Sequence, residues 1–185
     1  MEWLTETKIP LGQWISSLMD ALNEHADFVF YTISDVLEFI IENTIDFLLW
    51  LPPLLIIAGF GVLAAALHRS WKLTAFTVLS LLLIVNLGYW EETMETLALV
   101  IYASLFCMVI GVPLGVASAH RPWLYQAMRP VLDLMQTIPT FVYLIPTLIL
   151  FGLGVVPGLI STVIFAIAAP IRLTHLGISS IFFFF

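Results

Sequence analysis

Charge is what this chain has least of. Only 10% of its 185 residues are Asp, Glu, Lys or Arg, against about 25% in a typical soluble domain. Six of them are basic and the net charge is −7, which excludes the clustered cationic face that a nucleic-acid partner requires. One cysteine, Cys107, excludes an internal disulfide and any cysteine-only metal cluster. There is no phosphate-binding glycine loop, no H-E-x-x-H and no G-x-S-x-G. The chain therefore reads as a non-enzyme, with no catalytic residue, metal ligand or cofactor assigned. Its start lacks a basic segment followed by an apolar core, so it does not read as a cleaved signal peptide.

Apolar residues are abundant instead, at 61% of the chain, with a mean hydropathy of +1.06. A body of 20.7 kDa has too little interior to hide that much apolar surface from water, so the chain reads as an integral membrane protein. The acids are unevenly spread: residues 1–47 hold nine of the thirteen, beside one base, Lys8. Within this region Trp14, Ile15, Leu18, Met19 and Leu22 recur at helical spacing. So do Val29, Ile33, Val36, Leu37, Ile40 and Ile41, with Asp35, Glu38, Glu42 and Asp46 mostly on the remaining surface. The pattern predicts two amphipathic helices, with Asn23 or Ser34 as local caps. They lie in the membrane interface or against the bundle, or they offer a docking surface to a soluble partner.

A bilayer core of about 30 Å asks for roughly 20 apolar residues per helix. Residues 48–67, 73–90 and 96–119 satisfy this and predict three spans. Residues 134–171 then run for 38 positions without one Asp, Glu, Lys, Arg or His, too far for a single helix. The segment Gly152-Leu-Gly-Val-Val-Pro157-Gly158 divides them, into a fourth span at about 131–151 and a fifth at about 157–171. The fold class is thus all-α polytopic, about five transmembrane helices preceded by amphipathic N-terminal helices. Arg69 and Lys72, Arg121 and Arg129, and Arg172 all fall in connections on one side of this alternation. Basic loops stay cytoplasmic, which predicts an extracytoplasmic N-terminus and a cytoplasmic C-terminus.

Polar groups inside spans are expensive in lipid and face a cavity or another helix. Asp133, Gln136, Thr137, Thr140 and Tyr143 follow one face of the fourth span at helical spacing. They serve either helix–helix hydrogen bonding or a polar strip along a substrate route. Pro139 and Pro146 in the same span would free backbone carbonyls suited to a cationic or zwitterionic ligand. Asn86 and Ser104 carry the same two readings. Gly111, Pro113, Gly115, Ala117 and Ala119 allow close helix approach, and His68, His120 and His175 suit the ends of spans better than a metal site.

At the fourth span the sequence resembles a family. Met135-Gln-Thr-Ile-Pro-Thr-Phe-Val-Tyr-Leu-Ile-Pro146, Leu150-Phe-Gly-Leu-Gly154, Val156-Pro-Gly158, Ala169-Pro-Ile-Arg-Leu-Thr174 and Gly177-Ile178 are similar to the permease subunits of bacterial glycine betaine/proline (choline) ABC importers. Ile110-Gly-Val-Pro-Leu-Gly115 and Arg129-Pro-Val-Leu-Asp-Leu-Met135 fit the same family, so the likeness covers about residues 95–178. It implies a permease subunit in the bacterial inner membrane. Its partners would be a cytoplasmic ATPase that performs all ATP hydrolysis, an extracytoplasmic substrate-binding protein, and a second permease copy. On this reading residues 1–47 are an acidic extracytoplasmic region and 48–178 the permease domain. Gln136, Thr140 and Tyr143 are candidates for the substrate path, and Pro139 and Pro146 for helix breaks that gate it.

After Ile178 the family pattern ceases and residues 179–185 read Ser-Ser-Ile-Phe-Phe-Phe-Phe. The family continues there into the loop that couples to the ATPase, so the chain is expected to be a truncated or frameshifted permease. A rival reading follows: a non-transporting membrane protein that only associates with permease or binding-protein partners.

Overall fold

The computed structural model describes residues 11–182, and every regular element among them is an α-helix. The helices are α1 (Leu11–Trp50), α2 (Pro53–His68), α3 (Trp71–Leu87), α4 (Trp90–His120), α5 (Pro122–Thr137), α6 (Thr140–Phe151), α7 (Val155–Ala166) and α8 (Ala168–Phe182). The all-α, multi-pass architecture follows from the composition. In hydrocarbon no water satisfies the backbone, so each apolar run closes its hydrogen bonds within itself.

The N-terminal pattern forms one continuous helix rather than two. Between Gly12 and Pro52 there is no Gly or Pro to interrupt it. Of the first stripe, Trp14 is exposed, while the side chains of Ile15, Leu18 and Leu22 and the cap candidate Asn23 lie outside the described residues, as do Lys8 and Phe183–Phe185. The chain then turns by 95° between Ala26–Trp50 and Pro53–His68. Pro52 and Pro53 cause this break, since a proline ring clashes with the preceding turn and suits only the first helical position. The helix of the first apolar run therefore begins at Pro53, not at residue 48.

Two compact units share the long helices. One spans Phe39–Leu105; the other joins the residues up to Glu38 with those from Phe106 onward. In the first, α2 and α3 form a helical hairpin, and the missing side chain of Gly61 admits Val78. Ile41, Ile45, Met94, Ala98 and Ala103 are buried. Tyr102 Oη and Thr44 Oγ1 meet at 2.6 Å, tying α1 to α4. No residue of α3 is buried, which costs little where the surroundings are acyl chains as apolar as leucine.

In the other unit α6 and α7 fold back on each other through a turn at Gly152 (φ +79°) and Gly154 (φ +148°), conformations that only glycine adopts without strain. Face 30/34/38 of α1 lies along this turn. Phe30 packs edge-on against Phe151 at 5.2 Å, and Ser34 Oγ donates to the Phe151 carbonyl at 3.2 Å. A Cβ at Gly154 would sit 3.1 Å from Glu38 Oε1. Leu132, Ala168 and Ile171 form the core here, with Met128, Met135 and Ile167 around them. Pro170 cannot donate to the Ala166 carbonyl, which marks the step from α7 to α8 without ending the span: Val155–Ser180 is long and apolar enough to cross.

Candidate functional site

The fourth span is not one helix. Pro122–Thr137 and Thr140–Phe151 are bent by 95° at Ile138-Pro139. Pro139 has no N–H for the Met135 carbonyl and pushes Ile138 into an extended conformation (φ −78°, ψ 130°). The expectation that Asp133, Gln136, Thr140 and Tyr143 share one helical face is therefore corrected. Gln136 closes α5, while Thr140 and Tyr143 open α6, and the strip folds around the break. Of the two helix-break candidates, Pro139 makes this bend, whereas Pro146 sits inside α6.

The break centres on the Leu134 carbonyl. It accepts from Ile138 N at 3.1 Å, from Thr137 Oγ1 at 3.2 Å and, across the bend, from Tyr143 Oη at 3.4 Å. Tyr143 is half-buried, whereas Gln136 and Thr140 are exposed and form no side-chain hydrogen bond among the described residues. The site offers an amide, two hydroxyls and carbonyls relieved of their partners by proline. Such a set can exchange hydrogen bonds with a passing solute. Asp133 leaves this set: its Oδ1 accepts a 2.5 Å bond from Arg172 on α8. Asn86 and Ser104 are exposed and join no cluster.

Two arrangements were not singled out from the sequence. Thr147 and Ser161 are both buried and meet at 2.9 Å, with Ser161 Oγ donating to the Pro157 carbonyl at 2.7 Å, so a polar clasp closes α6 on α7. Their spacing of 14 residues around a Gly-Pro turn was the available signal. The second lies between α4 and α8. His175 stacks on Tyr125 at 3.6 Å with the rings within 6°, and its Nδ1 lies 3.1 Å from Ser118 Oγ. His175 is thus packed between helices rather than presented to the interface, whereas His68 is exposed. Alongside, Gly111 admits Pro170 and Gly115 admits Thr174, the close approach that the small residues of the third span predict.

Residues 111–182 match the family described as binding-protein-dependent transport system inner membrane component. The break, the clasp and the α4–α8 contact all fall inside this segment. Across almost its whole length the chain is also similar to curated proteins. It is 41% identical over 180 residues to the glycine betaine/carnitine transport permease protein of Listeria monocytogenes, covering 94% of this chain and 62% of that one. It is 40% identical over 181 residues to the glycine betaine/proline betaine transport system permease protein of Escherichia coli, covering 95% and 49%. The corresponding figures for the glycine betaine transport system permease protein of Bacillus subtilis are 36% over 174 residues, 94% and 61%. The chain spans between about half and three fifths of the length of these relatives.

Proposed function

We propose that the chain is an inner membrane component of a binding-protein-dependent transport system and serves an ATP-driven importer of quaternary-amine solutes of the glycine betaine class. The observation that carries this reading is the 41% identity, running through 94% of the chain, to a permease named for glycine betaine and carnitine. The chemistry of the break supports it. Between Asp133 and Arg172 the chain offers neutral polar groups alone, and a zwitterion needs no fixed countercharge to pass them. Gln136, Thr140 and Tyr143 would line the route, with the Pro139 bend as its structural break. ATP hydrolysis would fall to a separate cytoplasmic subunit and ligand capture to an extracytoplasmic binding protein, with a second permease copy completing the path. The basic connections support a topology with the N-terminus outside and the C-terminus in the cytoplasm.

The test is uptake of labelled glycine betaine by cells devoid of other betaine uptake that supply the ATPase and binding protein of a betaine system. Uptake that depends on this chain supports the reading. Partner co-purification without uptake would favour an associating, non-transporting role. Tyr143→Ala should lower uptake while membrane insertion is kept; equal loss of both would assign Tyr143 to packing.

A further inference from the structure

We propose that the groove between α2 and α3 holds an anionic diacyl phospholipid, with its phosphate on Arg69, an acyl chain along Ala65, Ala75 and Val78, and Lys72, outside the groove lining but next to Trp71 in sequence, adding positive charge at the same turn. The groove measures about 530 Å³ and is graded in polarity: Arg69, Ser70, Trp71 and Thr74 at the turn, Ala65, Ala75 and Val78 beyond it. This matches the order of headgroup, interface and chain in a lipid. Trp71 is 76% exposed at this turn, and an amphipathic ring is favoured at a membrane–water boundary.

Neither Arg69 nor Lys72 has an ion-pair partner among the described residues. The acids of the same unit, Glu42, Asp46, Glu91, Glu92 and Glu95, lie near the opposite ends of α2 and α3. The 16 residues of α2 separate the two ends by about 24 Å, beyond two Debye lengths at physiological salt. In a chain of net charge −7 this turn is a local cationic spot. Ser70 makes no capping hydrogen bond and keeps its hydroxyl available. Arg69 itself is held in a left-handed conformation (φ +48°) that closes α2. A zwitterionic phosphocholine brings its own cation and gains less from such a spot than phosphatidylglycerol does.

Native mass spectrometry of the purified full chain tests this, with phosphatidylglycerol or phosphatidylcholine of the same acyl chains added in neutral detergent. Two basic groups near an anionic headgroup predict a preference for phosphatidylglycerol of about tenfold or more. Arg69→Ala/Lys72→Ala should abolish that preference, while Arg69→Lys/Lys72→Arg and Arg121→Ala keep it. Equal retention of the two lipids by the wild type, or a preference that survives the double alanine variant, would overturn the proposal. Displacement of the lipid by inorganic phosphate alone would overturn it too, by showing a free-anion site. Should the double alanine variant not fold, salt replaces it. Raising KCl from about 50 to about 500 mM should cut the wild-type preference several-fold by screening, and an unchanged preference overturns the proposal. The readout involves no transport, so its failure and the failure of the importer reading are independent.

Discussion

Ser118 Oγ stands 3.1 Å from His175 Nδ1, joining α4 to α8 through two side chains 57 positions apart. Ser118 is fully buried and gives its one hydrogen to the Gly115 carbonyl at 2.8 Å. It must therefore accept from His175, which fixes a proton on Nδ1. Ser118→Ala leaves that N–H without its acceptor. The expected cost is about 0.6–1.7 kcal/mol, the range of interhelical hydrogen bonds in membrane proteins, read as unfolding in detergent. His175→Phe loses the same bond while keeping a ring on Tyr125, so the double variant should be no less stable than the weaker single one. Fully additive losses would show that the two side chains are not coupled.

Two glycines make opposite predictions because their surroundings differ. A Cβ at Gly115 would lie 2.6 Å from Thr174 Cβ and 2.8 Å from the Ile171 carbonyl oxygen. Neither atom is the end of a flexible side chain, so α4 and α8 must separate. Gly115→Ala is expected to destabilise by about 1–3 kcal/mol. At Gly59 nothing lies within 4 Å, and Gly59→Ala should be neutral or stabilising by up to about 1 kcal/mol through helix propensity. Chemical unfolding of the two variants in the same detergent decides; equal effects would deny the close α4–α8 approach.

Much of this was legible in the sequence, for identifiable reasons. Hydropathy placed the apolar runs because lipid demands long uncharged helices, and the prolines at 139 and 146 marked the fourth span as unusual. Periodicity alone nevertheless extended one helical face from Asp133 to Tyr143, because spacing carries no information on whether the backbone continues through Ile138-Pro139. The same limit applied in reverse to α1, where a shift of the apolar stripe suggested two helices and the lack of any breaker gave one. Asp133 and Arg172 were read separately, and His175 was read without Ser118. Pairs 39 and 57 positions apart leave no local signature.

Pro139 is the cause of the α5–α6 bend, so its removal should straighten the chain. Pro139→Ala returns an N–H to the Met135 carbonyl and frees Ile138 to become helical. Val131 and Ile149 are both exposed and accept spin labels. With a 95° bend their backbone separation is about 17 Å, against about 27 Å along a continuous helix. Pulsed electron–electron spectroscopy should therefore show a lengthening of about 10 Å in Pro139→Ala. An unchanged distance would mean that packing of α6 on α7, not the proline, holds the bend. If the proposed importer reading holds, uptake by the straightened variant should fall, since Gln136, Thr140 and Tyr143 would no longer flank a break.

The ion pair between Asp133 and Arg172 is the polar link from α5 to α8, and its exposure sets its worth. The two side chains are 53% and 32% exposed, and pairs so open to solvent contribute about 0.3–1 kcal/mol after screening. Asp133→Asn should cost no more than that, with the difference from wild type shrinking as salt is raised. Asp133→Arg places like charges together and should cost more. The exchanged pair Asp133→Arg/Arg172→Asp should recover over half of that loss. Arg172 Nε is buried without a partner, so the guanidinium is held by one bond and recovery in the exchange is expected to stay incomplete. A full set of unfolding curves at low and high salt checks the ordering. A single variant Asp133→Asn that loses several kcal/mol at both salt concentrations would show that this pair is closed off from solvent and carries the α5–α8 contact itself.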